Sequence, residues 1–396
     1  MSVQEFGKEV LEELENNILP FWINKMVDHE RGGFYGEIDG CDRLVPEASK
    51  GAILNARILW AFSASYRVLR KERYLEMATR AKDYIIAHFF DTTYGGIFWE
   101  LNADGSPRDT KKQIYAIGFA IYGLSEYYRA IGDRKVLEYA IKLFDAIEKY
   151  SFDADKNGYL EALTREWEEI ADMRLSDKDE NEKKTMNTHL HILEPYTNLY
   201  RVWKDKKLEK QLRNLIEIFL DEILNKQTYH LDLFFDEDWK SKYHIVSYGH
   251  DIEAAWLLHE AALTLGDEEI LKRVEEIVPA IAEAAAEGIE ADGAMIHEHN
   301  YTAGKIDTDL HWWVQCETVI GFYNVYQYFG DEKALQRSLE CWNYIKNNLI
   351  DRKQGEWYWS RNALGVINRA EDKAGFWKCP YHNTRMCLEI YERTQQ

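Results

Sequence analysis

The sequence predicts an all-α fold, an (α/α)6 barrel of six inner and six outer helices with short β-hairpins at the pocket end, and three observations carry that expectation. A glycine turn followed by aromatic residues returns six times along the 396 residues. The copies stand about 62 residues apart, stretched to about 73 once. Each is followed by a helix that is apolar nearly all round and so wants to be buried. Five of these lead into a charged amphipathic helix that wants one face in water, and the opening helix supplies the sixth. Closing the pairs into a ring satisfies both demands, as one domain over residues 1–396 with its pocket where the inner helices begin.

In chain order, residues 4–19 read as the opening helix, with Phe6, Val10, Leu14 and Ile18 on one face and Pro20 after it. The turn text begins as Arg31-Gly32-Gly33-Phe34-Tyr35-Gly36-Glu37 and reads as a short hairpin. It returns at Tyr94-Gly95-Gly96-Ile97-Phe98-Trp99-Glu100 and Asn157-Gly158-Tyr159-Leu160-Glu161, then in degraded form near His230, Asp292 and Gly355. Inner helices are expected over 50–69, 112–130, 186–203, 248–265, 310–329 and 380–394. Outer helices such as Arg73 to Phe89 and Glu332 to Leu349 lie between them. Pro195, inside the third inner helix, removes a backbone donor and predicts a kink. The long spacing falls across an acidic insertion, and the charged stretch Glu166 to Lys184 reads as a solvated loop with a lid role.

Composition narrows the function. A net charge of -20 leaves no basic face for nucleic acid. The five cysteines form no C-x-x-C pair and fit reduced thiols in a cytoplasmic protein. The N-terminus leads straight into an acidic amphipathic helix rather than a signal peptide, and no apolar run of about 18 residues exists to span a membrane.

The ring would bring the first turns of the inner helices to one cavity. Ser247 as N-cap puts His250 in the first turn of the fourth, with Glu253 further along the same face. The positive end of the helix dipole disfavours imidazolium, so His250 should be neutral near pH 7. In the sixth, Pro380 at N1 places His382 as His250 is placed after Tyr248. The other starts contribute Asn55 and Arg57, Tyr115, Asn187, His189 and His191, and Trp312, Trp313, Gln315 and Glu317.

Two neutral imidazoles across an aromatic cavity suit the movement of a proton on and off a carbon beside a carbonyl, with inversion if the second ring returns it from the other face. Arg57, Asn187 and His191 would hold the developing oxyanion, Glu253 would orient His250, and tryptophans would stack on a sugar ring. Taken singly, each has a plainer reading: a core histidine, an arginine paired with a carboxylate, a core tryptophan. A glycoside hydrolase using Glu253 and Glu317 as its carboxylate pair is a second reading, and a non-catalytic binding barrel a third. No metal is expected, because His297-Glu298-His299 alternates faces in a strand and lacks helical i, i+4 ligand spacing. No phosphate loop and no nucleophile elbow is present.

The segments Lys50-Gly51-Ala52-Ile53-Leu54-Asn55-Ala56-Arg57, Thr185-Met186-Asn187-Thr188-His189-Leu190-His191, Ser247-Tyr248-Gly249-His250-Asp251-Ile252-Glu253, Trp312-Trp313-Val314-Gln315-Cys316-Glu317 and Trp377-Lys378-Cys379-Pro380-Tyr381-His382-Asn383 resemble the N-acylglucosamine 2-epimerase superfamily. Within it they are most similar to the disaccharide-epimerising branch, in order along essentially the whole chain. The resemblance implies an α/α six-fold barrel. It also implies epimerisation at C2 of the reducing-end glucose of β-1,4-linked disaccharides, cellobiose to glucosyl-mannose and lactose to epilactose. Carried over by motif, His250 and His382 would be the acid/base pair and His191 a third essential histidine. Arg57, Tyr115, Asn187, Glu253 and Trp313 would hold the reacting sugar, and Trp377 the second. No metal, nicotinamide or other cofactor is implied, and the enzyme would work as a monomer or weak homodimer. A monosaccharide 2-epimerase or aldose-ketose isomerase of the same superfamily is the near alternative.

Overall fold

The computed structural model describes residues 1–395. Twelve helical segments alternate between an inner and an outer ring. The first outer segment joins α1 (Val3–Glu13) to α2 (Leu19–Lys25) through a π-helical turn at Leu14–Ile18. Then come α3 (Ala52–Leu69), α4 (Glu72–Tyr84), α5 (Ile114–Ile131), α6 (Arg134–Tyr150), α7 (Met186–Val202) and α8 (Lys206–Ile218). The chain ends with α9 (Tyr248–Leu265), α10 (Glu268–Ala285), α11 (Trp312–Phe329), α12 (Glu332–Asn348) and α13 (Tyr381–Thr394). The inner ring closes in sequence: α3 packs on α5, α5 on α7, α7 on α9, α9 on α11, α11 on α13, and α13 back on α3. Outside it α4, α6, α8, α10 and α12 cover the inner helix that precedes each, and α1 covers α13. The opening helix is thus the sixth outer helix, as expected.

Sidedness explains the layers. Helix α5 buries nearly every residue from Ile114 to Tyr127, whereas α6 buries Val136, Ala140, Leu143, Phe144 and Ile147 at the spacing of one helical face. The opening helix runs past Pro20 instead of stopping there, because Pro20 falls at the start of α2, just after the π turn, where a missing donor is tolerated. Helix α7 also runs unbroken through Pro195. The carbonyl that Pro195 leaves unpaired is that of His191, and it lies against Gly118 of α5, where a Cβ would come within 2.4 Å of it.

The glycine text forms the same device in every repeat. The end of each outer helix bridges to the aromatic or aliphatic residue after the turn, as Val27 to Phe34, Phe90 to Ile97, Phe152 to Tyr159 and Ile350 to Trp357. Gly33 at φ +63° and Gly96 at φ +70° return the chain where a side chain would be strained. A short strand before the inner helix then pairs with the next repeat: Lys50–Gly51 with Glu100–Leu101, Lys112–Gln113 with Ala162–Leu163, and Lys184–Thr185 with Phe234–Phe235. These are the hairpins of the pocket end.

A buried lysine locks each of these entrances. Lys50, Lys112 and Lys184, each two residues before its inner helix, reach back to Asp28, Asp91 and Asp153 in their own turns at 2.8, 2.9 and 3.0 Å. Every one of these ammonium groups is buried, so removing its aspartate would leave an uncompensated charge in the core. Among the described residues no helix is long and apolar enough to cross a membrane.

Candidate active site

At the starts of the inner helices lies a cavity of about 420 Å³ whose walls include all nine residues nominated from the sequence: Arg57, Tyr115, Asn187, His191, His250, Glu253, Trp313, Trp377 and His382. Trp313, near the start of α11, packs against both His250 and His382. Its ring centroid is 4.8 Å from that of His250 and 5.7 Å from that of His382. Gly249 makes that approach possible, since a Cβ there would meet the Trp313 ring at 2.8 Å.

The two imidazoles are held differently. Ser247 occupies the N-cap position of α9 but makes no cap bond; its hydroxyl lies 2.8 Å from His250 Nδ1. The expected orienting role of Glu253 is therefore corrected: Glu253 accepts instead from Arg385 Nη2 at 2.7 Å. His382 Nδ1 lies 2.7 Å from Glu317 Oε1. Burial pushes both rings down to about 3, with neighbouring histidines adding to the effect at His250 and Glu317 opposing it at His382. Both are neutral near pH 7.

Beneath them, Arg385 of α13 binds carboxylates from three other inner helices. It contacts Glu194, and its Nη2 donates to both Glu253 and Glu317 at 2.7 Å. Burial would raise Glu317, but Arg385 and His382 hold it down at about 2. Burial, then the charge on Glu317, pushes Glu253 well above the carboxylate range. The shift favours the protonated form of Glu253, whose second oxygen is buried without a partner at the cavity wall.

The wall also carries one cation, Arg57. Among the described residues no carboxylate pairs with it; its Nη2 donates to Tyr115 Oη at 2.8 Å and its guanidinium lies 4.1 Å from the Phe119 ring centre. His191 pairs through Nδ1 with Glu194 at 3.1 Å and meets the Tyr115 ring edge-on at 4.8 Å. His189, two residues earlier, turns away: its Nδ1 is 2.7 Å from the Thr185 carbonyl, and its Nε2 accepts from the Tyr159 amide at 2.9 Å. Asn55 and Gln315 are likewise spent on backbone groups, at Gly51 and Met295. The insertion is not wholly solvated, for Leu175, Ser176, Lys178 and Asp179 form part of the cavity wall. Lys178 reaches Glu371 on the opposite rim at 3.3 Å.

The sequence matches the N-acylglucosamine 2-epimerase (GlcNAc 2-epimerase) family over residues 33–385. The chain belongs to this family. Among curated relatives, the cellobiose 2-epimerase of Bacteroides fragilis is 64% identical over 97% of this chain and 98% of its own. That of Ruminococcus albus is 40% identical over 97% and 98%. The solved structure of cellobiose 2-epimerase from Bacillus thermoamylovorans B4167 superposes with a TM-score of 0.94 at 43% identity, covering 98% of this chain and 99% of that one. This family member is accordingly an enzyme of the carbohydrate-epimerase kind, an isomerase built as an (α/α)6 barrel.

Arg385 and Glu194 carried no signal in the sequence, since they act through bonds across the ring. Ser247, expected as a cap, bonds His250 instead, and Glu317, expected at the mouth and as one of a glycosidase pair, orients His382.

Proposed function

We propose that this chain epimerises C2 of the reducing-end glucose of β-1,4-linked disaccharides, converting cellobiose to glucosyl-mannose and lactose to epilactose, with residues 1–396 acting as one catalytic domain. The observation that carries this reading is the pair of neutral imidazoles set about Trp313, each with its Nδ1 occupied. Glu317 is ionised and accepts the Nδ1 proton of His382, so the lone pair of His382 is at Nε2.

After the hemiacetal opens, one imidazole takes the C2 proton while the carbonyl oxygen becomes the enediolate oxygen. The cationic Arg57, with Asn187 and His191, lines the wall where that oxygen gains charge. The other imidazole returns a proton to C2 from the opposite face, and the ring closes with C2 inverted. The pair is neutral in the free protein, so the protons balance only with one taken up from solvent as the sugar binds, which the returning imidazole then carries. Glu317 makes His382 the ring better able to hold it, and the developing enediolate stabilises that cation in the same water-poor space. In the glucose-to-mannose direction His250 is then the base and His382 the acid, with the roles exchanged in reverse. Glu253, a neutral acid with a free oxygen, donates to a sugar hydroxyl, Tyr115 and Trp313 hold the reacting ring, and Trp377 flanks the second sugar.

The hydrolase reading fares worse on one point. Glu253 and Glu317 accept from the same nitrogen of Arg385, whereas a glycosidase sets its carboxylates about 5–9.5 Å apart around the scissile bond. The deciding experiment is turnover of cellobiose in heavy water with product analysis by mass spectrometry and NMR. Glucosyl-mannose carrying one deuterium at C2 is the expected product. Epimer without deuterium, ketose alone, or free glucose would each overturn the proposal.

A further inference from the structure

We propose that His297, Asp307 and His311 form a binding site for a divalent transition-metal ion such as Zn2+ at the cavity mouth, and that an ion held there obstructs the sugar. Neighbouring residues along His297-Glu298-His299 point to opposite faces and make no ligand set by themselves. The ligand set is assembled across the hairpin instead. His299 is diverted onto the Tyr301 ring, while Asp307 of the returning strand and His311, just before α11, come to His297.

The two imidazoles lie parallel, centroids 4.3 Å apart and 10° between planes. His297 Nδ1 and His311 Nε2 stand 3.0 and 3.9 Å from the same Asp307 oxygen, Oδ2, and one donor atom from each residue lies within 4.8 Å of the others. Three ligands on a tetrahedron with bonds of about 2.0–2.1 Å are about 3.3 Å apart, so an ion would draw Oδ2 and the ring nitrogens together, and the two rings would turn out of their stack to aim both lone pairs at it. The carboxylate is already aimed: the Asp309 amide donates to Asp307 Oδ1 at 3.0 Å, which leaves Oδ2 for the rings. Two imidazoles and one carboxylate with a fourth position open suit Zn2+, Cu2+ or Ni2+ rather than Mg2+ or Ca2+. His297 and His311 line the cavity beside Trp313, so the open position faces the path of the substrate.

The binding half stands without the reaction proposed above; the inhibition half rests on it, and separate readouts keep the two apart. Tag-free, chelator-dialysed protein is titrated with CoCl2 by visible absorption and with ZnCl2 by calorimetry. One saturable site with four-coordinate Co2+ bands is expected, weakened at least about tenfold in Asp307→Ala and in His311→Ala and unchanged in His299→Ala. Zn2+ should inhibit cellobiose turnover competitively, with the same loss of potency in those variants. Absence of saturable binding would overturn the site, as would affinity that survives the Asp307→Ala/His311→Ala double variant. Loss of binding in Glu317→Gln instead would place the ion among Glu253, Glu317 and His382, and would equally overturn it. Binding without inhibition would overturn the obstruction.

Discussion

Replacing Glu317 by Gln tests the division of labour between the two imidazoles. The change keeps the shape of the side chain and removes one negative charge from a group that touches both His382 and Arg385. Hydrogen bonds to charged groups contribute about 1.5–3 kcal/mol. At about 1.4 kcal/mol per factor of ten, that is about 10- to 150-fold less of the protonated His382 that delivers the proton. The sign follows from the site: Glu317 raises the affinity of His382 for its proton, so the variant should lose that proton at lower pH.

The alkaline limb of kcat against pH, which reports the working complex, should therefore move about 1–2 units toward acid, and kcat at pH 7.5 should fall in proportion. The fold should survive. Arg385 keeps Glu194 and Glu253, and Glu253, pushed up in part by the charge on Glu317, ionises more readily once that charge is gone. The assay is initial-rate epimerisation of cellobiose across pH 5–10, with circular dichroism to check folding. A folded variant within about twofold of the parent kcat, with an unmoved profile, would refute the assignment of His382 as the proton carrier.

Two further expectations concern the scaffold. Gly118→Ala drives a methyl into the His191 carbonyl at 2.4 Å and should cost about 1–3 kcal/mol, read as a lowered Tm, with a fall in kcat because His191 moves with its backbone; an unchanged Tm would contradict the close approach of α5 and α7. His189, fully buried and pushed by desolvation from the usual 6.5 to about 4, makes the folded state bind fewer protons than the unfolded chain between those values, so its stabilising effect is lost as pH falls. The advantage of the parent over His189→Gln in urea unfolding should shrink by roughly 1.4 kcal/mol per pH unit below pH 6, and a pH-independent difference would refute the neutral, doubly bonded ring.

The ring and its mouth were legible because the repeat constrains them. Every copy must end an outer helix, turn on a left-handed residue (glycine in five, Tyr229 in the fourth) and enter an inner helix, so the expected inner boundaries fall within two residues of those observed, as at Ala52 and Ile114. The inner helices all begin at the same end of the ring, which is why the nine nominated residues, though far apart in sequence, line one cavity. What periodicity does not encode is who bonds to whom. His189 and His191 are equally plausible on a helix start, yet positions two apart face opposite sides, and only the Tyr159 amide decides that the first belongs to the scaffold. Glu253 looked like the partner of His250 because it is close in sequence, but Ser247 is closer in space and Arg385 is a stronger claim on a carboxylate.

Arg385 is the extreme case. It sits one turn after His382 in a short final helix, where an arginine reads as a surface charge, and its three carboxylates lie 68, 132 and 191 residues earlier. None of these pairs forms within a single repeat. A guanidinium and three carboxylates are too costly to bury apart, so they enter the core only when α13 closes between α11 and α3. The same closure seats His382 on Glu317. One helix therefore both completes the ring and places the proposed proton carrier, because α13 supplies Arg385 and His382 together.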